Sequence, residues 1–109
     1  MTARGPDGRG LSETAIIDTG FTGALTLARA SIQGLALAYL QEQVATLADG
    51  TTFVTATYEA EAVWDGQLRP IAVMAADGGL LMGMALLQGY HLSLDVVSGG
   101  AVLITPLIA

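Results

Sequence analysis

Four Asp-Gly pairs, Asp7-Gly8, Asp49-Gly50, Asp65-Gly66 and Asp77-Gly78, cut this chain into short apolar, β-prone runs. Such a pair enters a tight hairpin turn at low cost, because Gly lacks a Cβ and the Asp side chain hydrogen-bonds its own turn. Hairpins, rather than long helices, are therefore what this sequence can build. Residues 44–47 and 52–58 flank Asp49-Gly50, and residues 60–64 and 67–74 flank Asp65-Gly66, so each pair of runs predicts a hairpin. In the second, Val63, Ile71 and Val73 are expected inward and Glu59, Glu61 and Arg69 outward. Pro6-Asp7-Gly8 predicts a turn that pairs the first few residues with residues 14–18. Residues 24–27 alternate like a strand, whereas residues 30–43, rich in Ala, Leu and Gln, predict the one short helix. Asp77-Gly78-Gly79 leads into an apolar loop around Gly83, followed by a helical turn over residues 86–88 that Gly89 stops. The last hairpin runs from residues 90–97 through Ser98-Gly99-Gly100 to residues 101–108. Its final strand is so apolar that it calls for cover by a second chain.

Composition narrows the function. With 109 residues, 52% of them hydrophobic, the chain fits one domain, residues 1–109, around one core. Only 13% of residues are charged and 14 are Gly, a balance that suits buried strands and tight turns. A net charge of −6, with four scattered Arg as the only cationic side chains, repels phosphate backbones and argues against nucleic acid as a partner. The absence of Cys excludes disulfides, thiolate catalysis and Cys-ligated zinc, and a single His makes a metal centre unexpected. No cofactor is implied. The longest uncharged stretch, residues 78–94, is shorter than the roughly 20 apolar residues of a spanning helix. The first ten residues lack the apolar middle of a secretory signal. No membrane partner is expected, and a cytoplasmic location is the default.

Against this background Ile16-Ile17-Asp18-Thr19-Gly20-Phe21-Thr22-Gly23 stands out: an apolar run delivers a carboxylate into a Thr-Gly turn. On its own the Asp18-Thr19-Gly20 triplet does not distinguish an acid placed for chemistry from the Asp and Gly that end strands for ordinary turn reasons, and it gains weight only from its neighbours. Asp7, Asp49, Asp65 and Asp77 are each followed by Gly and read as turn residues. His91 reads as an ordinary strand residue, and Trp64 and Phe53 as packing groups.

The order Asp18-Thr19-Gly20-Phe21-Thr22-Gly23, then Leu47-Ala48-Asp49-Gly50, then Leu81-Met82-Gly83-Met84 resembles the retropepsin-like aspartic proteases, most closely their small bacterial single-lobe members. The match spans nearly the whole chain. It implies an all-β single lobe, a closed barrel or sandwich of hairpins with one short helix, working as a two-fold homodimer. By the same resemblance Asp18, Thr19 and Gly20 form the catalytic loop. Asp18 supplies one acid of a shared dyad, Thr19 bonds across the dimer, and Gly20 admits substrate backbone. Phe21, Thr22, Leu47, Ala48, Asp49, Gly50, Met82, Gly83 and Met84 would contact an extended peptide, residues 47–51 serving as a flap. The implied activity is an aspartic endopeptidase needing no cofactor. Two departures accompany the match. Little chain precedes Asp18 to form an interleaved terminal strand, and Ala85 stands where relatives carry Asp or Asn. A catalytically silent peptide-binding module of the same fold, and an unrelated small β-barrel with Asp18 in a turn, are the alternatives.

Overall fold

The computed structural model describes residues 1–46 and 48–108. Among these residues ten strands and two short helices follow the order β1 (Thr2–Arg4), β2 (Gly10–Ser12), β3 (Ala15–Ile17), β4 (Leu25–Leu27), α1 (Arg29–Gly34), β5 (Ala38–Thr46), β6 (Thr52–Trp64), β7 (Gln67–Ala75), β8 (Leu80–Met82), α2 (Met84–Leu87), β9 (Tyr90–Leu94) and β10 (Val102–Pro106). The fold is mostly β, as the turn pattern predicts. One sheet has the order β2-β1-β6-β7-β4-β8-β3, with β5 also paired to β6, and a separate ribbon joins β9 to β10. The large sheet curls as a half-barrel, and its terminal strands, β2 and β3, are not paired with each other.

The long strand β6 is the spine. Residues 57–64 pair with β7, while on its other edge residues 52–59 pair with β5 and residues 61–63 with β1. Residues 52–56 thus extend beyond β7 and are held only by β5, so the β5–β6 hairpin projects from the sheet. The two runs that the sequence separates, 52–58 and 60–64, are one strand serving two hairpins. Alternation along it buries Ala60 and Ala62 and turns Glu59, Glu61 and Val63 outward. The inward placement expected for Val63 is therefore overturned by strand parity: it shares a face with the two glutamates and is 37% exposed. Ile71 and Val73 are buried as expected.

Two other expectations fail for reasons of register. The residues before Pro6 pair with Gly10–Ser12, not with residues 14–18, because the turn closes tightly, Gly5 N donating to Arg9 O at 2.9 Å. Residues 15–17 instead form β3, parallel to β8. The helix expected over 30–43 ends at Gly34, and Ala36, at φ 54°, redirects the chain. Residues 38–46 extend along β6, where a partner strand outweighs their modest helical preference. The helical turn expected over residues 86–88 is present slightly earlier, as α2 over Met84–Leu87.

Leu25, Leu27, Ile32, Leu35, Ile71, Val73, Leu80, Met82, Leu86 and Leu87 form the main core with Ala3, Ala60 and Ala62. A second cluster, Phe21, Ala45 and Met74 with Phe53 and Leu81 packed against it, lies beneath the projecting hairpin. Between the clusters Thr26, 4% exposed, acts as a buried stitch: its hydroxyl donates to Gly79 O (3.2 Å) and accepts from Leu81 N (2.9 Å). β4 and β8 share a single registered pair, Leu25 with Met82, so this hydroxyl supplies bonding that a longer ladder would otherwise provide. Thr26→Val keeps the shape and orphans the Leu81 N–H. It is expected to lower unfolding stability by about 1–3 kcal/mol, measured by urea titration.

Candidate active site

Asp18 follows β3 directly. Its backbone N–H donates to Met82 O at 2.9 Å, which continues the β3–β8 pairing into the turn. Gly20 N donates to Asp18 Oδ1 (3.0 Å) and Phe21 N to Asp18 O (3.1 Å), so both the carboxylate and the backbone of the Asp18-Thr19-Gly20 turn are fixed. Asp18 is partly buried. Thr19, at the tip, is exposed, and its hydroxyl has no partner among the described residues.

The chain then returns as β4, and β8, from much later in sequence, lies between the two arms: parallel to β3, antiparallel to β4. Past β8 the apolar loop locks onto the acid loop. Gly83 N donates to Ala24 O (3.0 Å), Met84 N to Phe21 O (2.8 Å) and Ala85 N to Gly23 O (3.1 Å). A Cβ at Gly83 would overlap Gly23 O and come within 2.5 Å of the Phe21 ring and 2.7 Å of Phe21 O. No larger residue fits between the two loops without displacing backbone. Segments some sixty residues apart are thereby fastened into one unit.

The β5–β6 hairpin covers the acid loop. Thr46 N donates to Thr22 Oγ1 (3.2 Å), and a Cβ at Gly20 would stand 2.5 Å from Ala48 Cα. The hairpin tip thus rests on the Gly20 backbone itself. Within the tip Asp49 Oδ1 accepts from Thr51 Oγ1 (2.6 Å) and Thr51 N (2.9 Å). The Thr51 hydroxyl first, then its backbone N–H, holds the Asp49 carboxyl below the ordinary aspartate range. Asp49 is therefore a turn residue here.

The residues singled out from the sequence divide as follows. Asp18, Thr19, Gly20, Thr22, Ala48, Gly83 and Met84 gather around the acid loop, with Met84 45% exposed beside it. Phe21 and Met82 are buried, so their side chains pack the two cores rather than wall a cleft. Asp49 and Gly50 form the hairpin turn above, and Leu47 lies outside the described residues. Arg69, expected to point outward, is half-buried: its guanidinium donates to Leu86 O (3.1 Å) and Ala85 O (3.3 Å) and ties α2 to β7. Nothing in the local sequence marks this role, because the strand pattern only assigns Arg69 a face. It anchors the loop whose own position 85 is an apolar Ala.

Hollows of about 250, 180 and 300 Å³ are lined respectively around Arg4 and Glu59, around Arg29 and Tyr58, and around Arg9 and Leu35. None of these three borders Asp18. Among the described residues no cluster of three or more His, Asp or Glu could hold a metal ion, and no helix is long and apolar enough to cross a membrane. Comparison of the chain with family models, curated proteins and solved structures finds no match.

The Asp49 turn has a stated pH dependence. A carboxyl whose folded value is depressed contributes order above its unfolded value and loses it only as pH falls through the lower folded value. The Thr51 amide should therefore stay protected from hydrogen exchange at mildly acidic pH. Protection should fall only below the free-aspartate value of about 3.9, and Asp49→Ala should remove that dependence. Amide exchange followed by NMR across pH checks it.

Proposed function

We propose that the chain is a retropepsin-like aspartic endopeptidase whose active site is completed by a second copy. The observation that carries this is the interlock of the Asp18-Thr19-Gly20 turn with the Gly83 loop beneath a projecting hairpin. A turn-capping aspartate has no need of a distant glycine loop packed against its own loop, or of a hairpin tip resting on the residue two positions on. One copy supplies one such carboxylate, whereas peptide hydrolysis by this chemistry uses two.

In a symmetric pair the two Asp18 carboxyls share one proton, because carboxylates held close cannot both ionise cheaply. The ionised acid takes a proton from a bound water as the water oxygen adds to the scissile carbonyl carbon. The protonated acid meanwhile donates to the carbonyl oxygen. Collapse of the tetrahedral adduct breaks the C–N bond as a proton passes to the leaving amine, giving a free acid and a free amine. Thr19, exposed at the loop tip, would bond to its counterpart loop, and Gly20 would leave room for substrate backbone once the hairpin lifts. That hairpin would close over an extended peptide and pair with it as an added strand. Ala48 and Met84 offer an uncharged wall, which favours apolar peptides, and a cytoplasmic setting suits a chain without Cys.

The second copy is assigned to the β9–β10 ribbon. Leu94 and Val102 are cross-strand partners, each 52% exposed; Leu103, on the other face of the ribbon, and Leu107 and Ile108 beyond it are exposed as well. A surface of this kind on a two-stranded ribbon requires cover. Ala85 favours one alternative, a dimer of the same fold that binds peptides without cutting them.

A diverse peptide mixture incubated with the protein at mildly acidic and neutral pH, read by mass spectrometry, should show cleavage. Asp18→Asn should reduce it by about a thousandfold or more. The rate should rise more steeply than linearly at low protein concentration. Binding of a transition-state-like peptide without products would instead support the non-cutting dimer. The paired change Leu94→Glu and Val102→Glu should yield a folded monomer by sedimentation and remove cleavage, while retained dimerisation would place the interface elsewhere.

A further inference from the structure

Trp64 closes β6 at the end opposite the flap-like hairpin. With Asp65, Tyr90 and Ile104 it lines a niche of about 100 Å³. The Trp64 and Tyr90 ring centroids are 5.4 Å apart and their planes meet at 76°, so the rings form a corner. Tyr90 Oη donates to Asp65 Oδ2 at 3.3 Å and holds the exposed carboxylate beside the rings. Trp64 Nε1 is buried and has no acceptor among the described residues. Orphaned buried donors are rare and mark a place where a further group belongs.

The turn alone does not account for this arrangement. Asp65 adopts φ 51°, a conformation that Asn tolerates equally well, so the hairpin asks for a short polar side chain but not for a charge. Aromatic faces attract cations, the more so beside a carboxylate, and a niche of this size suits an alkylated ammonium better than a hydrated metal ion. A chain of net charge −6 adds a favourable field.

We propose that Trp64, Tyr90 and Asp65 bind a small alkylated ammonium group, carried by a free molecule such as choline or by a methylated lysine side chain. The indole N–H is then satisfied by an oxygen of the ligand or by a water enclosed with it. The site does not rest on the protease assignment, although Tyr90 and Ile104 share a face of the β9–β10 ribbon with Leu94 and Val102 and the niche therefore borders the surface proposed for the second copy.

Trp64 is the only tryptophan, so its emission reports this niche directly. The full chain is titrated at constant ionic strength with choline, with a peptide bearing trimethyllysine, and with the neutral carbon isostere of choline. A saturable change with either cation, roughly tenfold weaker with the isostere, is expected. The tighter of the two cations identifies the source. Asp65→Asn, which preserves the turn, should weaken binding several-fold, and Tyr90→Leu should abolish it. The absence of saturation by either cation, an equal response to the neutral isostere, or unchanged affinity in Asp65→Asn would each overturn the proposal.

Discussion

The contact between Gly83 and the loop of residues 21–23 is the constraint on which the rest of the structure depends. Gly83 passes so close to Phe21 and the Gly23 carbonyl that a side chain there would displace backbone. Three backbone hydrogen bonds, from Gly83, Met84 and Ala85 to the carbonyls of Ala24, Phe21 and Gly23, then hold the loops together. Because β8 must lie between β3 and β4 to bring this about, the contact also sets the order of half the sheet. The three-residue strands β4 and β8 are tied on both sides, by ladder bonds and by the Thr26 hydroxyl, whereas β3 at the sheet's end pairs with β8 alone.

The β5–β6 hairpin has a different kind of support. Its base is part of the sheet, but its outer half has no neighbour strand beyond β5 and rests on a small cluster of Phe21, Ala45, Met74 and Phe53. Its upper face carries Val44 and Val54 as an exposed cross-strand pair, 61% and 62% accessible. Its outer half therefore depends on that small cluster, on the Thr46–Thr22 hydrogen bond and on the tip contact with Gly20. Arg69, through the carbonyls of Ala85 and Leu86, ties α2 to β7 on the far side of the acid loop.

Much of the fold is legible in the residues themselves. Asp49-Gly50 and Asp65-Gly66 mark both central hairpins, Gly89 marks the end of α2, and the Ser98-Gly99-Gly100 turn marks the last ribbon. What misleads is local preference where a partner strand competes with it. Residues 38–43 have helical character, yet they pair with β6, and Val63 is apolar, yet it shares a face with two glutamates. In the candidate site Asp18 and Gly83 can be picked out from their neighbours, whereas Arg69 and Thr26 cannot. Their roles exist only through groups that lie 16 to 55 residues away in sequence.

By itself the sequence determined that this chain is built of hairpins, lacks the groups for thiolate or Cys-based metal chemistry, and places a carboxylate in a Thr-Gly turn after an apolar run. These follow from short-range physics, from turn conformations and side-chain inventory that need no distant partner. The tertiary structure alone decided that β8 threads between the arms of that turn, that Gly83 and Gly20 each lie against foreign backbone, and that Trp64 meets Tyr90 beside Asp65. Such juxtapositions are set by how the whole sheet curls to bury its apolar face, a balance summed over all strands that no single segment encodes.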